Sequence, residues 1–575
     1  MFGARNIADT RRMQRARVSV AVVILPLILL VSCKQRGGSG SILEFPSADE
    51  LAAIAAKPVS APPFRPSGRA VGEWQLIGPL PDKIDSRPVE GDSPSDQLAR
   101  TIAGQIAELE PRAAMQCVAR EVGHFMLMQG RQPTLPLQQF MLDRCGATLQ
   151  TFGWAALTWN EGDAGSGLDD LLALARSNGL NGDFGVWLGR EGDHHMAILV
   201  AGRESATIDP LAMSIVDDRV AVEGSIGAHE WVVGYVTRGP RGVQTCRTQP
   251  AEPNRFHVIC PVDRRDPGAA IEVVAAAPGR ALGEVRARVW VSPDGSLPTR
   301  YAVAPDSGPA FTERSAASLV ELFNTLRSEA GVAPLSLVDA QSDEFERLHD
   351  HYRHARHVGD AVDRDRIALG LLAGRSLGRP VVDGMFGELV LDGTRSRKEL
   401  LEATLLHPMT RATLLDPERT LLALSVSEAG ADAMAEAMLA TWAPAELGHR
   451  PQDEEWMFDL IDLTREVRGL PDMKRVGGPV HDALVKWSAD VREGRLAPKV
   501  ALDGALQDIA EQAEIPIRGL LLFAQDVEEL EAPTELLGRD GLQMAVHVEL
   551  IQAPGSAWAQ LVVMVAYVYD ADVRG

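Results

Sequence analysis

Apolar residues recur at helical spacing in three separate parts of the chain. In residues 117–147, Val118, Val122 and Met126 fall on one face of a predicted helix, and a second helix follows after a turn that contains Gly and Pro. The same pattern returns in residues 344–374 and 483–513. The sequence therefore predicts three pairs of helices, each joined by a short turn.

A pair of apolar runs follows each pair of helices. The two runs are separated by a Gly-containing turn, which is typical of antiparallel strands joined as a hairpin, and they occupy residues 184–202, 420–442 and 541–570. A helix pair followed by a hairpin, repeated three times, indicates related units. We predict three α/β modules: module one at residues 93–237, module two at 309–446 and module three at 447–575.

Residues 238–308, between modules one and two, have a different pattern. Short β-type runs at 256–262, 270–277 and 286–293 are separated by Pro and Gly. They predict a small all-β, sandwich-like insert, here called the β-domain. The predicted fold class is therefore α/β and multidomain, which agrees with a length of 575 residues, enough for roughly three or four domains.

The N-terminus has the layout of an export signal. Five arginines precede an apolar run at residues 18–31, too short for a comfortable transmembrane helix. The following Leu30-Val31-Ser32-Cys33 resembles the lipobox of bacterial lipoproteins, which implies a signal peptide at 1–32 and a lipid on Cys33. A plain signal peptide or a short anchor helix is the alternative.

The lipoprotein resemblance also predicts a location. Residues 33–92 begin with a stretch rich in Gly, Ser, Pro and Ala, which is typical of a flexible tether between a lipid anchor and a folded protein. Lys34 stands where enteric lipoproteins retained at the inner membrane carry an aspartate. We therefore expect a lipid-anchored protein of the bacterial cell envelope, at the outer membrane.

The net charge narrows the range of partners. The formal charge is −22 at pH 7, so nucleic acid and anionic membrane surfaces repel the chain. We expect no nucleic acid partner. Membrane contact is expected through the lipid anchor alone.

Four cysteines remain once Cys33 is assigned to the lipid. An oxidising compartment favours disulfides, and four thiols allow three pairings. We favour Cys117 with Cys145 and Cys246 with Cys260, because each pair is close in sequence and lies within one predicted unit.

Residues 319–335 carry a spaced set of Leu, Asn, Arg, Gly, Pro and Leu that resembles the opening helix of the CAP superfamily, which includes the cysteine-rich secretory, antigen 5 and pathogenesis-related 1 proteins. Residues 363–374, 384–393 and 407–426 are similar to three later landmarks of this family, in the same order. The likeness covers 316–445, and module three repeats only its beginning. It implies CAP-like modules built as α-β-α sandwiches, with modules one and three divergent.

The CAP resemblance also implies a cleft with two histidines and two acids, which binds a divalent metal in some members. Glu388 matches a cleft acid, and His354 or His357 matches the first histidine. Thr410 stands at the position of the later histidine, and a hydroxyl is a poor replacement for imidazole as a metal ligand. We therefore predict no metal and no cofactor, with zinc in module two as the alternative.

Module one offers a different possible site. Cys117, His195 and Asp209 occur in the order of a thiol enzyme that resembles papain or transglutaminase, in which a base deprotonates the thiol and an acid orients the imidazole. A Cys117 to Cys145 bridge would remove the nucleophile. The sequence as a whole favours a protein that binds an envelope or extracellular partner without catalysis. The alternative is a hydrolase, thiol-dependent in module one or metal-assisted in module two.

Overall fold

The computed structural model describes residues 45–570, apart from short interruptions. The positions left out within this span are 61, 63–67, 70, 82, 85–87, 90, 150–151, 161–167, 213–217, 230, 240–241, 250, 253, 264, 266–267, 277–282, 293–298, 303–314, 392–399, 401–403, 406, 428–433, 514–516, 525–526, 528–529 and 553–555. The predicted signal peptide, Cys33 and the first part of the predicted tether lie outside the described residues. Among the described helices, none is both long and apolar enough to span a bilayer.

The chain is a mixed α/β protein of several domains, as predicted. Module one contains α2 (Pro94–Ala103), β3 (Leu109–Pro111), α3 (Ala113–Gln129), α4 (Leu135–Cys145), β4 (Gly153–Asn160), α5 (Leu168–Ser177), β5 (Gly182–Glu191) and β6 (His194–Gly202). Its sheet has the strand order β3-β5-β6-β4, with β3 parallel to β5 and the other pairs antiparallel.

Module two repeats this arrangement. Its elements are α6 (Ala316–Glu329), β17 (Ser336–Leu337), α7 (Asp339–Val358), α8 (Ala361–Leu372), β18 (Val381–Leu391), α9 (Pro408–Leu415), β19 (Leu421–Val426) and β20 (Ala435–Pro444). The strand order is β17-β19-β20-β18, and the first strand is again parallel to its neighbour.

Module three repeats it once more. Its elements are β21 (Gly448–His449), α10 (Pro451–Val467), β22 (Lys474–Arg475), α11 (Pro479–Arg492), α12 (Pro498–Ala513), β23 (Arg518–Ala524), a 3-10 turn (Thr534–Leu536), β24 (Leu542–Ile551) and β25 (Gln560–Tyr569). The strand order is β21-β24-β25-β23, and β22 lies parallel to β24, in the place that β3 and β17 have in the other modules. The predicted helix pairs and hairpins are thus confirmed in all three modules.

The register of the first strand is also the same in each module. The residue after this short strand donates its backbone N–H to the central strand at about the same distance every time. The three bonds are Arg112 to Phe184 at 3.0 Å, Val338 to Leu422 at 2.9 Å and Val476 to Met544 at 2.8 Å. These bonds give a residue-by-residue alignment of the modules that does not depend on sequence identity.

Residues that match the family pattern hold the first helix of module two to the end of α9 and to the loop that leads into β19. Arg327 is fully buried, and its guanidinium donates to the backbone carbonyls of Ala333, Leu414, Asp416 and Arg419. In module three, the fully buried Arg465 donates in the same way to the carbonyls of Pro471, Leu536 and Arg539. The side chains of Asn324 and Asp462, three residues earlier on each helix, accept from the N–H of Leu335 and Met473, respectively. Modules two and three therefore share one helix-locking device.

The β-domain consists of two facing four-stranded sheets. It is formed by β7 (Ala206–Ile208), β9 (Arg219–Ile226), β10 (Trp231–Arg238), β11 (Gly242–Thr245), β12 (Arg247–Gln249), β13 (Arg255–Pro261), β14 (Ala269–Ala276) and β15 (Glu284–Val291). The strand orders are β11-β10-β14-β15 and β12-β13-β9-β7. The Cys246–Cys260 disulfide joins the sheets, as the favoured pairing predicts. This domain begins near residue 206, earlier than the predicted 238, because β9 pairs with β13 on one side and with β7 on the other.

Part of the segment predicted as a flexible tether is folded, among the residues that the structure describes from 45 onward. Helix α1 (Ala48–Ala55) begins at a Ser47–Glu50 capping box and buries Leu51 and Ile54 against α7 and α8 of module two. Phe45 contacts Trp558 of module three, with 5.2 Å between ring centroids. Further on, β1 (Glu73–Gln75) pairs with β16 (Arg300–Ala302), and β2 (Lys83–Ile84) pairs with β8 (Leu211–Ala212). Apolar anchors and backbone pairing, rather than overall composition, decide the structure of this part.

A buried ionic network joins module one, the β-domain and module two. Arg288 on β15 and Glu272 on β14 have no exposed side-chain area. Arg288 Nη2 lies 3.2 Å from Asp143 Oδ2 of module one, and Nδ1 of His407 in module two lies 2.9 Å from both Glu272 Oε1 and Arg288 Nη1. Glu272 also accepts the backbone N–H of Met409 at 3.0 Å. These contacts, here called the Arg288 network, fix the mutual orientation of three domains.

Candidate functional site

The predicted cleft acid of module two, Glu388, and a second acid beside it, Glu436, are both bound to other side chains of the module. Glu388 on β18 accepts from the Tyr352 hydroxyl and from the Arg356 guanidinium. Arg356 also donates to Glu436 on β20, which accepts from Arg353 Nε at 2.8 Å. Burial raises the pKa of Glu436, but Arg356 and Arg353 outweigh it and hold the pKa below its ordinary value. Both carboxylates are thus paired with arginines of the same module.

The predicted histidines and threonine do not complete this cleft. His354 is half-buried and His357 is exposed near the end of α7, while Glu388 takes its contacts from Tyr352 and Arg356. Thr410 lies on α9, the helix that packs against the β-domain; its neighbour Arg411 donates to the carbonyls of Gly239 and Gly242 there, at 2.9 and 2.8 Å. The segment that resembles the family's histidine landmark therefore acts as a domain contact.

Module two buries a different imidazole, that of His349, although the Arg- and Asp-rich sequence around it indicates a solvated helix face. His349 on α7 has Nδ1 at 2.8 Å from Ser425 Oγ on β19, and its Nε2 has no hydrogen-bond partner. Burial lowers the pKa of His349 to about 4. It is therefore a neutral packing residue at physiological pH.

Module one holds its two cysteines in a disulfide. Cys117 and Cys145 are bonded, with 5.5 Å between Cα atoms, which is the favoured pairing. His195 stacks on Trp159 with 5.4 Å between ring centroids, and Asp209 accepts from Arg255 of the β-domain. With Cys117 oxidised and Asp209 engaged elsewhere, the thiol-enzyme alternative lacks both a nucleophile and an orienting acid.

A cavity of about 300 Å³ lies beside this disulfide. It is lined by the stretch Pro79–Pro81, by the first turns of α3 and by the two bonded cysteines, with Arg120 on one side. The sulfur atoms in its wall are already bonded to each other, so the cavity offers shape and two charged residues, Arg120 and Asp96, rather than a free thiol.

Module three brings four ionisable side chains together. His449 on β21, Glu454 in the first turn of α10, His481 in the first turn of α11 and His547 on β24 each present one potential ligand atom, and these atoms lie within 4.8 Å of one another. Within the described part of the chain, this is the group of His, Cys, Asp and Glu side chains that converges closely enough to hold a metal ion. We call it the His449 cluster.

Strand pairing explains why distant residues meet here. Strand β21 pairs with β24 so that His449 lies opposite Glu549, and Arg450 N donates to Val548 O at 2.9 Å. This pairing starts α10 beside the middle of β24, where Glu454 Oε1 accepts the N–H of Val548 at 3.1 Å. The first turn of α11 brings His481 Nε2 to 3.5 Å from Glu454 Oε2.

Glu454 is at the centre of the cluster. Its Oε1 lies 2.6 Å from His449 Nε2 and 3.0 Å from His547 Nδ1. Burial raises the pKa of Glu454, but hydrogen bonds from His547, Val548 and His449 outweigh it and hold the pKa below its ordinary value. The carboxylate is therefore ionised and faces three imidazoles.

His547 is fully buried between two carboxylates. Its Nδ1 faces Glu454, and its Nε2 lies 2.9 Å from Glu549 Oε2 and 2.7 Å from Ser488 Oγ. Burial lowers the pKa of His547, but the two carboxylates outweigh it and raise the pKa above its ordinary value. Arg492 donates to Glu549 Oε1 at 2.7 Å. The buried end of the cluster is therefore held in place from both sides.

The outer side of the cluster is open to solvent. The side chains of His449 and His481 are 38% and 29% exposed, whereas that of His547 is 0% exposed. Imidazole and carboxylate groups that converge in this way suit a transition metal, or a ligand that bears cationic or hydrogen-bonding groups.

Sequence reasoning did not find the His449 cluster, because its members are spread over about a hundred residues and meet only through strand pairing. One local signal was present. In the strand Leu542–Ile551, the side chains that face α11 include Ala545 and Ile551 in the apolar core, and His547 and Glu549 interrupt this face. Two charged residues on the buried face of a central strand mark a site or a structural ion network.

The resemblance to the CAP superfamily rests on the residues of module two and on the beginning of module three. No family model and no curated protein sequence matches this chain.

Proposed function

We propose that this chain is an exported, lipid-anchored protein of the bacterial envelope that binds a ligand without catalysis, and that the ligand binds at the His449 cluster. The observation that carries the proposal is the combination of a buried, fixed His547 with half-exposed His449 and His481. Groups fixed at one end and accessible at the other are what a binding site requires.

The other two modules offer less to a ligand. In module one the sulfurs of Cys117 and Cys145 are bonded to each other. In module two, Glu388 and Glu436 are both engaged by Arg356. A ligand would have to displace a neighbouring arginine to reach these acids, whereas His449 and His481 already face solvent.

The rigid assembly favours display of a site over a moving catalytic cleft. The Arg288 network joins three domains through Asp143, Glu272 and Arg288, whose side chains have little or no exposure, and through the partly exposed His407. Helix α1 adds a contact with module two, and Phe45 reaches module three. A lipid on Cys33 would hold this assembly near the membrane, with module three kept in one orientation relative to module two by contacts such as Phe45 with Trp558.

The location is tested with Cys33→Ala in the full-length chain. Lipid attachment predicts that the native chain partitions with the membrane fraction and carries a diacylglyceryl mass on Cys33, and that the variant loses both. Equal membrane association of the two chains would overturn the anchor.

The binding site is tested by native mass spectrometry of the full-length chain purified from envelopes. A ligand retained by the native chain should be absent from His449→Ala/His481→Ala and present in His229→Ala, which changes an imidazole of the β-domain. Identical spectra for all three chains would contradict the proposal. Turnover of an ester, amide or glycan probe that the double variant abolishes would overturn its non-catalytic part.

A further inference from the structure

We infer that the His449 cluster is a site for a divalent transition-metal ion, with zinc the best fit, and that His449, Glu454, His481 and His547 are its ligands. The inference rests on the proposed function for the location of the binding site and names the ligand. Three imidazoles and one carboxylate match the donors that zinc takes in proteins.

The spacing of the cluster suits a small ion. Zinc to nitrogen and oxygen bonds of about 2.0–2.1 Å place the ligand atoms of a tetrahedron about 3.3 Å apart. In the structure Glu454 Oε1 lies 2.6 and 3.0 Å from two imidazole nitrogens, and all four ligand atoms fall within 4.8 Å of one another. Side-chain adjustments of about an ångström therefore complete the shell, and the half-exposed His449 and His481 have the freedom to make them.

The two nitrogens of His547 have different roles in this arrangement. Nδ1 points towards Glu454 and the open side of the cluster, so it is the metal ligand. Nε2 points away, towards Glu549 Oε2 at 2.9 Å, and keeps its proton as a donor. A metal-bound imidazole whose other nitrogen donates to a carboxylate is the usual way in which proteins fix the ring and its tautomer.

Glu549 is therefore a positioning residue rather than a ligand. Its other oxygen accepts from Arg492 at 2.7 Å, and Ser488 Oγ lies 3.2 Å from the Oε2 that faces His547. When the metal binds, the bond from Nδ1 to the ion replaces the bond from Nδ1 to its proton, and that proton leaves to solvent. The ion, Glu454, Glu549 and Arg492 then carry a net charge of +1, which is spread over two carboxylates and shared with the solvent-exposed side of the cluster.

Module two supplies a comparison within the same molecule. Aligned on Arg327 and Arg465, its counterpart of Glu454 is Ala316. Aligned on the parallel strand pair, its counterpart of His547 is Ser425. Module two has the same topology without these two ligands, so the fold does not require them.

The competing explanation is that the cluster only ties α10 and α11 to β24, with a protonated His547 between Glu454 and Glu549. That role needs the buried residues alone. It gives no reason for two further imidazoles, His449 and His481, on the open side of the same carboxylate.

Isothermal titration of the chelator-treated, full-length chain with zinc chloride tests the inference, together with elemental analysis of the metal retained after dialysis. We expect one zinc per chain and a dissociation constant of micromolar or lower. His449→Ala and His481→Ala should each weaken binding at least tenfold, and because both side chains are half-exposed these variants should fold. His229→Ala should bind like the native chain.

The positioning role has a separate readout. Glu549→Gln should weaken zinc binding by about 10- to 100-fold and should change the visible absorption of the cobalt-substituted chain, while one ion per chain is still bound. Cobalt held by four ligands in a tetrahedron absorbs far more strongly than cobalt with six.

Two results would overturn the metal site: less than a tenth of an equivalent of zinc bound at 100 μM free metal, or binding unchanged in His481→Ala. The experiments also separate this inference from the proposed function. If an envelope ligand is retained without any metal, the proposed function stands and the metal site is rejected. If zinc binds and no envelope ligand is retained, the metal site stands and the proposed binding of an envelope ligand is rejected.

Discussion

Nδ1 of His349 lies 2.8 Å from Oγ of Ser425, across the contact between helix and sheet in module two. In module three the same contact joins Ser488 on the helix to His547 on the strand at 2.7 Å, with the two residue types exchanged. In module one the register of the parallel strands places Trp187 at this contact. Gly123 of α3 faces it, and a Cβ on Gly123 would lie 2.3 Å from the Trp187 ring. One packing position has thus been filled in three ways.

His349 should make module two sensitive to mild acid. The unfolded chain protonates this ring near pH 6.5, whereas burial lowers the pKa of the folded state to about 4. The folded-state pKa is the lower one, so the contribution is fully present above pH 6.5 and is lost as pH falls towards 4. The loss is at most about 3 kcal/mol.

Urea denaturation between pH 4 and 7, monitored by hydrogen exchange on α7 and β19, measures this effect. His349→Gln should flatten the pH dependence in that window, whereas His229→Gln should leave it unchanged. An identical slope in the native chain and His349→Gln would show that other groups control the acid response.

Exchanging the pair in module two should recover the stability that either single change removes. His349→Ser leaves a void and Ser425→His adds bulk, so we expect each to cost about 1–3 kcal/mol. The double variant His349→Ser/Ser425→His reproduces the arrangement of module three and should show a favourable coupling of about 1 kcal/mol or more. Additive losses in a double-mutant cycle would mean that the two contacts are not equivalent.

Gly123 is required by a close approach of side chains rather than by its backbone conformation. Gly123→Ala should destabilise module one by about 1–3 kcal/mol, because its Cβ would collide with Trp187 and Ile198. Gly104→Ala is the matched control, since its φ of −72° suits alanine and its nearest neighbour lies at 3.5 Å. Thermal unfolding of both variants gives the comparison, and equal melting temperatures would contradict the packing argument.

Arg327 and Arg465 should not tolerate lysine. Each guanidinium donates to at least three backbone carbonyls in a buried position. A lysine cannot reach them all, so we expect a loss of about 2–4 kcal/mol in each case. The exposed Arg468→Lys should change stability by less than about 0.5 kcal/mol. Chemical denaturation measures these differences, and a neutral Arg327→Lys would remove the locking role.

Arg288→Ala should loosen the contact between three domains. It leaves Glu272 as a buried carboxylate without its arginine, and breaking a buried ion pair in this way costs about 3–5 kcal/mol. On the same strand, Arg286 is 22% exposed, and Arg286→Ala should cost less than about 1 kcal/mol. Faster hydrogen exchange in α9 and α4 of Arg288→Ala is the expected sign, and unchanged protection in both helices would contradict it.

Local periodicity was enough to predict the helix pairs and hairpins, because their signals lie within about 30 residues of sequence. The Arg288 network could not be predicted in this way, since its residues come from three domains and meet only after folding. His449 and His547 likewise depend on one short strand pairing. Helix α1 was not predicted, because the stretch around it is rich in Gly, Ser, Pro and Ala. Ser47 and Glu50 form a capping box, however, which a local search for helix starts could find.

Helix α1 also determines how the protein can be divided for experiments. Leu51 lies over Gly370, where a Cβ would come within 2.4 Å of it, and Lys57 pairs with Asp363 at 3.2 Å. A fragment that begins at residue 309 would contain module two without α1. The apolar residues of α7 and α8 that α1 buries would then be exposed to solvent, and the fragment would tend to aggregate. Helix α1 thus completes the core of module two, which begins more than 250 residues later in the chain. The shortest fragment that keeps this core intact runs from before α1 to the end of β25.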